Sequence, residues 1–448
     1  MAHRGRSSFH VGHRGRMILR ASSWSLIAKG ASAANLFVSV PFVLDALGPQ
    51  QFGAWATLIA LVTFSNFLDF GFGNGAMNLV AAAHGRGASH EIATIWHEAR
   101  RSLLKIAAIG GVTAAIALPL IPWERMLGLP AALNIESRNA VGAVFFATVL
   151  AIPLNLASRV QLGLGRGDIA FRWQAIGQLC TLGLVVTLAY LRMPLATLTA
   201  AAVATPLLAA TANTVSVARN QEVRSGALQS QAERKHVRDD ISKEGLMFFG
   251  LQLTAALSFS FDLPLISATH GAADAGDYAI VQRVFSLIPL SLSLVWAPLW
   301  PVYRQALATG DRNWTARTLR HSLMVAILFA SIIGIGIALG FDQITALWVR
   351  THLPVATALL AGFVVWCVVE AAGTALATFL NAASVLRYQL ATAIVFAVLC
   401  LSIKIWVVTQ GNVSMLPWVT AATYVVVAVL PFCWLGPRIL KHAFSQHY

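Results

Sequence analysis

Residues 219–244 read RNQEVRSGALQSQAERKHVRDDISKE. This is the one substantial polar segment between apolar runs, and it sits almost at the midpoint of a 448-residue chain. Before it comes LATLTAAAVATPLLAATANTVSVA, residues 195–218; after it comes GLMFFGLQLTAALSFSFDLPLISA, residues 245–268. A bilayer core needs about 20 consecutive apolar residues in a helix, and each flank supplies them. Working outward, six such runs lie on each side. Their spans are 22–44, 52–83, 102–121, 139–160, 170–191 and 194–218, then 245–268, 277–303, 318–341, 353–380, 388–409 and 414–436. The expectation is an all-α integral membrane protein. It has a basic tail over 1–21, a six-helix bundle over 22–218, a linker over 219–244, and a second bundle with a short tail over 245–448.

Composition agrees with this reading. Hydrophobic residues make up 57% and charged residues 11%, against about 25% charged in soluble domains. The net charge of +14 does not point to nucleic acid. Most of the basic residues fall in the tail (from Arg4), in alternate short loops, and at the far end (Arg438, Lys441). That is the bias of cytoplasmic loops, and it places both termini in the cytoplasm of a multi-pass protein. The first helix reads as uncleaved, because Lys29 and Asn35 interrupt its apolar run and no clean cleavage site follows. Six spans per half give both halves one orientation, so a structural repeat would be parallel, related by a pseudo-two-fold axis along the membrane normal. An echo supports it: Gly53-Ala54-Trp55-Ala56 and Gly276-Asp277-Tyr278-Ala279 each open the span after the first helix of a half.

Several motifs carry no chemistry. Gly71-Phe72-Gly73-Asn74-Gly75 and Gly163-Leu164-Gly165-Arg166-Gly167 lack the Walker spacing and follow no strand, so they read as close helix packing or flexible helix ends. His90-Glu91 and His97-Glu98 do not form a zinc motif. Cys180, Cys367, Cys400 and Cys433 fall inside spans, without metal-ligand spacing. No cofactor or metal is expected.

The informative residues are charges inside the spans, where each costs about 2.5–3.5 kcal/mol on insertion scales. They are Lys29, Asp69, Asp262, Arg283 and Glu370. By depth, Lys29 matches Asp69, and Asp262 matches Arg283. Two readings follow. In one, Lys29 and Arg283 attract an anionic substrate group such as a pyrophosphate, while Asp69, Asp262 or Glu370 pair with them or carry a coupling proton. In the other, Lys29–Asp69 and Asp262–Arg283 are ion pairs that only pin helices. Glu370 has no obvious partner, which favours function there. Prolines inside spans, Pro41, Pro153 and Pro264 among them, suit helices that line a cavity.

These residues also bring a family into view. Leu47-Gly48-Pro49-Gln50-Gln51-Phe52-Gly53-Ala54-Trp55 and Leu68-Asp69-Phe70-Gly71 resemble the first two helices of polysaccharide (O-antigen and exopolysaccharide) lipid-carrier flippases. Ala275-Gly276-Asp277-Tyr278-Ala279-Ile280, Trp296-Ala297-Pro298, Pro301 and Gly310-Asp311 resemble their seventh-to-ninth helix region. These belong to the multidrug/oligosaccharidyl-lipid/polysaccharide exporter superfamily. The resemblance implies two six-helix bundles around a central V-shaped cavity, and movement of a polyprenyl-diphosphate-linked oligosaccharide from the inner to the outer leaflet of the bacterial cytoplasmic membrane. It further implies that Lys29 and Arg283 meet the anionic headgroup. The implied partners are that lipid-linked oligosaccharide, membrane lipids, and polysaccharide polymerase and chain-length machinery. The peptidoglycan-precursor branch usually has two more helices. The alternatives are a cation-coupled multidrug exporter of the same superfamily, or a membrane polysaccharide polymerase or transferase. No large outer loop or acidic metal motif supports the enzyme.

Overall fold

In the computed structural model, residues 5–62, 69–224, 230–308, 311–350, 353, 355–383, 386–432 and 434 are described. Leu68, Gly310, Cys433, Arg4, Arg438 and Lys441 lie outside the described residues. The chain forms two compact units, Met1–Gln252 and Leu253–Tyr448.

The first unit begins with α1, Gly5–Val62, which is broken at Gly48. There φ is 73° and Pro49 follows; glycine alone adopts that backbone without strain, and proline cannot continue the ladder behind it. Then come α2 (Phe72–Arg86), α3 (Ser89–Leu120), α4 (Asn134–Leu154), α5 (Leu156–Gly163), α6 (Gly167–Tyr190) and α7 (Leu195–Ala218). Helix α8, Gln231–Phe259, runs on into the second unit, so residues 231–244 of the segment read as a linker are helical. Helix α1 packs along α6, α6 along α7, α4 along α7, and α2 on α5. Trp96, Leu103, Leu156, Val160 and Ile241 are buried together in the core of this unit.

The approach of α2 to α8 is set by glycines. Gly71 has φ 77°, and a Cβ on Gly245 would stand 2.7 Å from both the carbonyl carbon and the oxygen of Gly71. A Cβ on Gly75 would likewise meet the backbone oxygen of Ile241. Any side chain at these positions would hold the two backbones apart.

The second unit holds the end of α8, then α9 (Asp262–His270), α10 (Ala272–Phe285), α11 (Leu287–Ala308), α12 (Arg312–Leu339), α13 (Phe341–Trp348), α14 (Thr357–Ala382), α15 (Leu386–Thr409) and α16 (Leu416–Tyr424), the last extended by a π turn over Val425–Val429. Helix α14 is central, packing on α11, α12 and α16. Its Phe363 meets Tyr278 and Phe285 with ring centroids 5.4 and 5.3 Å apart. Cys367 and Cys400 are buried, while Cys180 is exposed.

Among the described residues, nine helices are long and apolar enough to cross a membrane. Side chains such as Leu120 (74%) and Leu339 (81%) are largely exposed. Lipid, not water, is the solvent that accommodates such a surface. Four spans read from the sequence are interrupted. The run 52–83 is divided by the turn at 69–71, the run 139–160 at Asn155, the run 245–268 between Phe259 and Asp262, and the run 277–303 at Ser286. The causes are local. Gly71 takes a left-handed φ, and Pro264 and Pro289 sit in the first turns of α9 and α11, where their missing N–H costs little.

Candidate functional site: polar pockets inside apolar bundles

In the first unit, the break between α1 and α2 leaves the N-terminal amides of α2 without intrahelical partners. Asp69 satisfies two of them: Gly71 N donates to Oδ1 at 2.9 Å and Gly73 N to Oδ2 at 3.1 Å. The α2 dipole also favours a carboxylate here. The charge of Arg159 on α5 acts on this carboxylate. Gly73 lies between them; a Cβ there would stand 2.6 Å from Asp69 Oδ2 and 3.3 Å from Arg159 Cγ.

Asp69 and Arg159 both line a cavity of about 660 Å³ bounded by α1 and α4–α7, a size suited to a small ligand. Much of its wall is amide and hydroxyl: Asn35, Asn155, Ser158, Gln174, Gln178 and Asn213, with Trp173. Asn35 Nδ2 donates to Gln178 Oε1 at 2.8 Å, and Asn213 Nδ2 to Ser158 Oγ at 3.0 Å. The buried Oδ1 of Asn213 accepts no hydrogen bond among the described residues. The wall therefore offers donors and acceptors in a low-dielectric setting.

In the second unit, a pocket of about 150 Å³ lies among α8–α10, α14, α15 and α16, room for a few waters or an ion. Its centre is a buried ion pair. Lys404 Nζ on α15 donates to Asp262 Oδ1 at 2.7 Å and to the Ser258 carbonyl at 2.8 Å. Tyr278 Oη donates to the other Asp262 oxygen at 2.9 Å. The lysine side chain is 1% exposed and the aspartate 7%. Two charges so far from water persist only when paired and hydrogen-bonded, and every contact here meets that condition. Glu370 on α14 lines the same pocket.

These placements correct both expected pairings. Among the described residues, the ion partner of Asp262 is Lys404, not Arg283. Asp69 takes backbone amides and sits beside Arg159, in place of a pair with Lys29. Lys29 is half-buried on α1, between Ala28 and Ala31, which pack against Ala175 and Phe171 of α6. It does not line the cavity, although Asn35 on the same helix does. Arg283 is buried on α10, and its neighbour Gln282 lines the smaller pocket. Arg159 and Lys404 lie near the ends of apolar runs, where a basic residue reads as part of a loop, so sequence reasoning passes over them. Lys404 carried a usable signal, as it is flanked by LCLSI before and IWVVT after.

The fold and the sequence both have counterparts among known proteins. The fold is similar to that of an inward-facing multidrug resistance MATE family transporter of the MOP superfamily, with TM-score 0.72, 14% identity, 94% of this chain and 99% of that chain covered. It is also similar to a MOP superfamily transporter from Pyrococcus furiosus described as having a binding pocket of reversed polarity, with TM-score 0.63, 15% identity, 96% of this chain and 97% of the other covered. In sequence, the succinoglycan biosynthesis transport protein ExoT of Rhizobium meliloti is 23% identical over 326 residues, 71% of this chain. The chain spans 60% of that relative's length. The profile of the polysaccharide biosynthesis protein family matches residues 18–307. That match takes in the larger cavity with Asp69 and Arg159, and the Asp262–Tyr278 half of the smaller pocket. With most of its length so matched, this multi-pass membrane chain belongs to the polysaccharide biosynthesis protein family.

Proposed function

We propose that this protein is a transporter that moves a polyprenyl-diphosphate-linked oligosaccharide from the inner to the outer leaflet of the bacterial cytoplasmic membrane by alternating access. The observation that carries the reading is the family match over 18–307 in a chain with the fold of MOP superfamily transporters. The relative named for succinoglycan transport supports it. In this proposal there are twelve passes, six in each bundle, with both termini cytoplasmic and the linker at 219–244. The interrupted spans count as passes, because broken helices are tolerated where they line protein or a cavity. Lys29 and Arg283 draw the anionic headgroup. Asp69, Asp262 and Glu370 are the groups available to balance that charge or carry a coupling ion. Polymerase and chain-length machinery would receive the product. The step is translocation, with no covalent bond made or broken.

The test is reconstitution of the full chain into vesicles whose inner leaflet carries a polyprenyl-diphosphate-linked oligosaccharide. Appearance of the sugar outside is scored with an impermeant glycosidase. Protein-dependent appearance, lost in K29Q and R283Q at equal protein levels, is the expected result. No movement of the sugar lipid alongside export of a cationic dye would replace this reading with the drug-exporter one. A covalently altered sugar lipid would replace it with the enzyme.

A further inference from the structure

Helix α3 has a face that the transport reading does not use. His97, Arg101, Leu104, Lys105 and Ala108 follow one another at helical spacings of three, four and one, so they share a side of the helix, and Arg100 flanks them. Together these six residues line a shallow, open groove on the surface of this one helix. Arg100, Arg101 and Lys105 are exposed. None of the three has a hydrogen-bond or ion-pair partner among the described residues.

The same side of α3 continues, away from the groove, as bare hydrocarbon. Ile109, Val112, Ile116 and Leu120 are each more than half exposed. From Leu104 to Leu120 the helix rises about 24 Å, most of the thickness of a bilayer core. Helix α3 has 32 residues, about 48 Å at the same rise. With Leu120 at one edge of a core of about 30 Å, the other edge falls near Arg100, so Arg100 and Arg101 lie at the level of the lipid headgroups. Lys105 reaches that level along its flexible stem, above a stripe made for acyl chains. Loop basicity that only sets topology would scatter its side chains into water. Here three unneutralised cations crown one lipid-facing groove.

We propose that this groove is a binding site for an anionic phospholipid of the surrounding membrane. Its phosphate is held by Arg100, Arg101 and Lys105, and its acyl chain lies along Leu104, Ile109 and Val112. Arginine forks match phosphate oxygens, and each basic residue near an anionic surface adds about 1 kcal/mol. The site is independent of the transported substrate.

The experiment uses the purified full chain in detergent, with bound lipid counted by native mass spectrometry. The probes are phosphatidylglycerol and cardiolipin, with phosphatidylcholine as the neutral control and undecaprenyl diphosphate as a competitor. Phosphatidylglycerol and cardiolipin should bind, and phosphatidylcholine should not. R100Q/R101Q/K105Q should weaken anionic-lipid binding about 100-fold, since three contacts of that size sum to about two decades. R100K/R101K should keep most of it, and R234Q/K235Q/R238Q on α8 should leave it unchanged. Thermal melting of each variant shows that the fold is kept. Wild-type affinity in the α3 triple variant, an equal loss in the α8 triple variant, or equal binding of phosphatidylcholine would each overturn the site. Undecaprenyl diphosphate displacing phosphatidylglycerol at stoichiometric amounts would overturn the choice of occupant.

Discussion

Replacing Lys404 by methionine tests the buried pair of the second unit most sharply. Methionine keeps most of the side-chain volume, so the change is electrostatic. In K404M, Asp262 Oδ1 loses its partner at 2.7 Å and the Ser258 carbonyl loses a donor at 2.8 Å, while Tyr278 still holds Oδ2 at 2.9 Å. Removing one member of a buried ion pair costs about 3–5 kcal/mol, because the other charge stays out of water. In a unit of this size, about 2–4 °C of melting temperature goes with each kcal/mol, so the variant should melt roughly 6–20 °C lower. The double variant D262L/K404M removes both charges. An apolar replacement of a whole pair is often neutral or better, so the double should recover most of the loss. The assay is thermal unfolding of the full chain in detergent, followed by thiol-reactive fluorescence at the buried Cys367 and Cys400. A K404M protein melting with the wild type would refute the claim that this contact holds the unit together. A double variant worse than both singles would refute the electrostatic account of it.

Other outcomes follow from the first unit. R159Q removes the cation from the larger cavity but leaves both amide bonds to Asp69 intact, so sugar-lipid movement should fall at least tenfold while the melting temperature stays within about 2 °C, the range of ordinary surface changes. Unchanged transport in R159Q would take Arg159 out of the site. D69N weakens the charge-assisted cap on α2 and should cost about 1 kcal/mol, read as a lower melting temperature; no change would mean that the cap does not stabilise the break. G245A presses a methyl carbon 2.7 Å from the Gly71 carbonyl, with backbone on both sides and no side chain to yield. Overpacking of that kind costs about 1–3 kcal/mol, and an unaltered melting temperature would show that α2 and α8 do not pack as described.

The broad class was legible because hydrocarbon length is a blunt signal: 20 apolar residues read the same whatever surrounds them. Where a span is broken, that signal blurs. The run 52–83 is largely apolar, yet the chain turns inside it at Asp69, and the glycine at 71 is the local sign of that turn. The site was legible as a list of costly charges and illegible as a set of partners. Depth along the sequence paired Asp262 with Arg283, but the helical phase of α15 turns Lys404 inward toward Asp262 instead. Depth likewise paired Asp69 with Lys29, whereas the short α5 brings Arg159 beside it. Pairing depends on which helix faces are neighbours, and that is decided by packing such as α1 on α6, which no local pattern reveals. The amides of the larger cavity were invisible for a related reason. Asn35, Gln178 and Asn213 are far apart in sequence and unremarkable one at a time.

The glycine seam between α2 and α8 also bears on biogenesis. The first half of α8 carries Arg234, Lys235, Arg238, Asp239, Asp240 and Lys243, so it is a poor substrate for direct partition into lipid. Synthesis proceeds from the N-terminus, and α2 is in place well before Ile241 and Gly245 leave the ribosome. Until then, Gly71 and Gly75 present bare backbone with nothing to cover it. Seating of α8 closes that gap, bringing Ile241 into the buried core of the first unit.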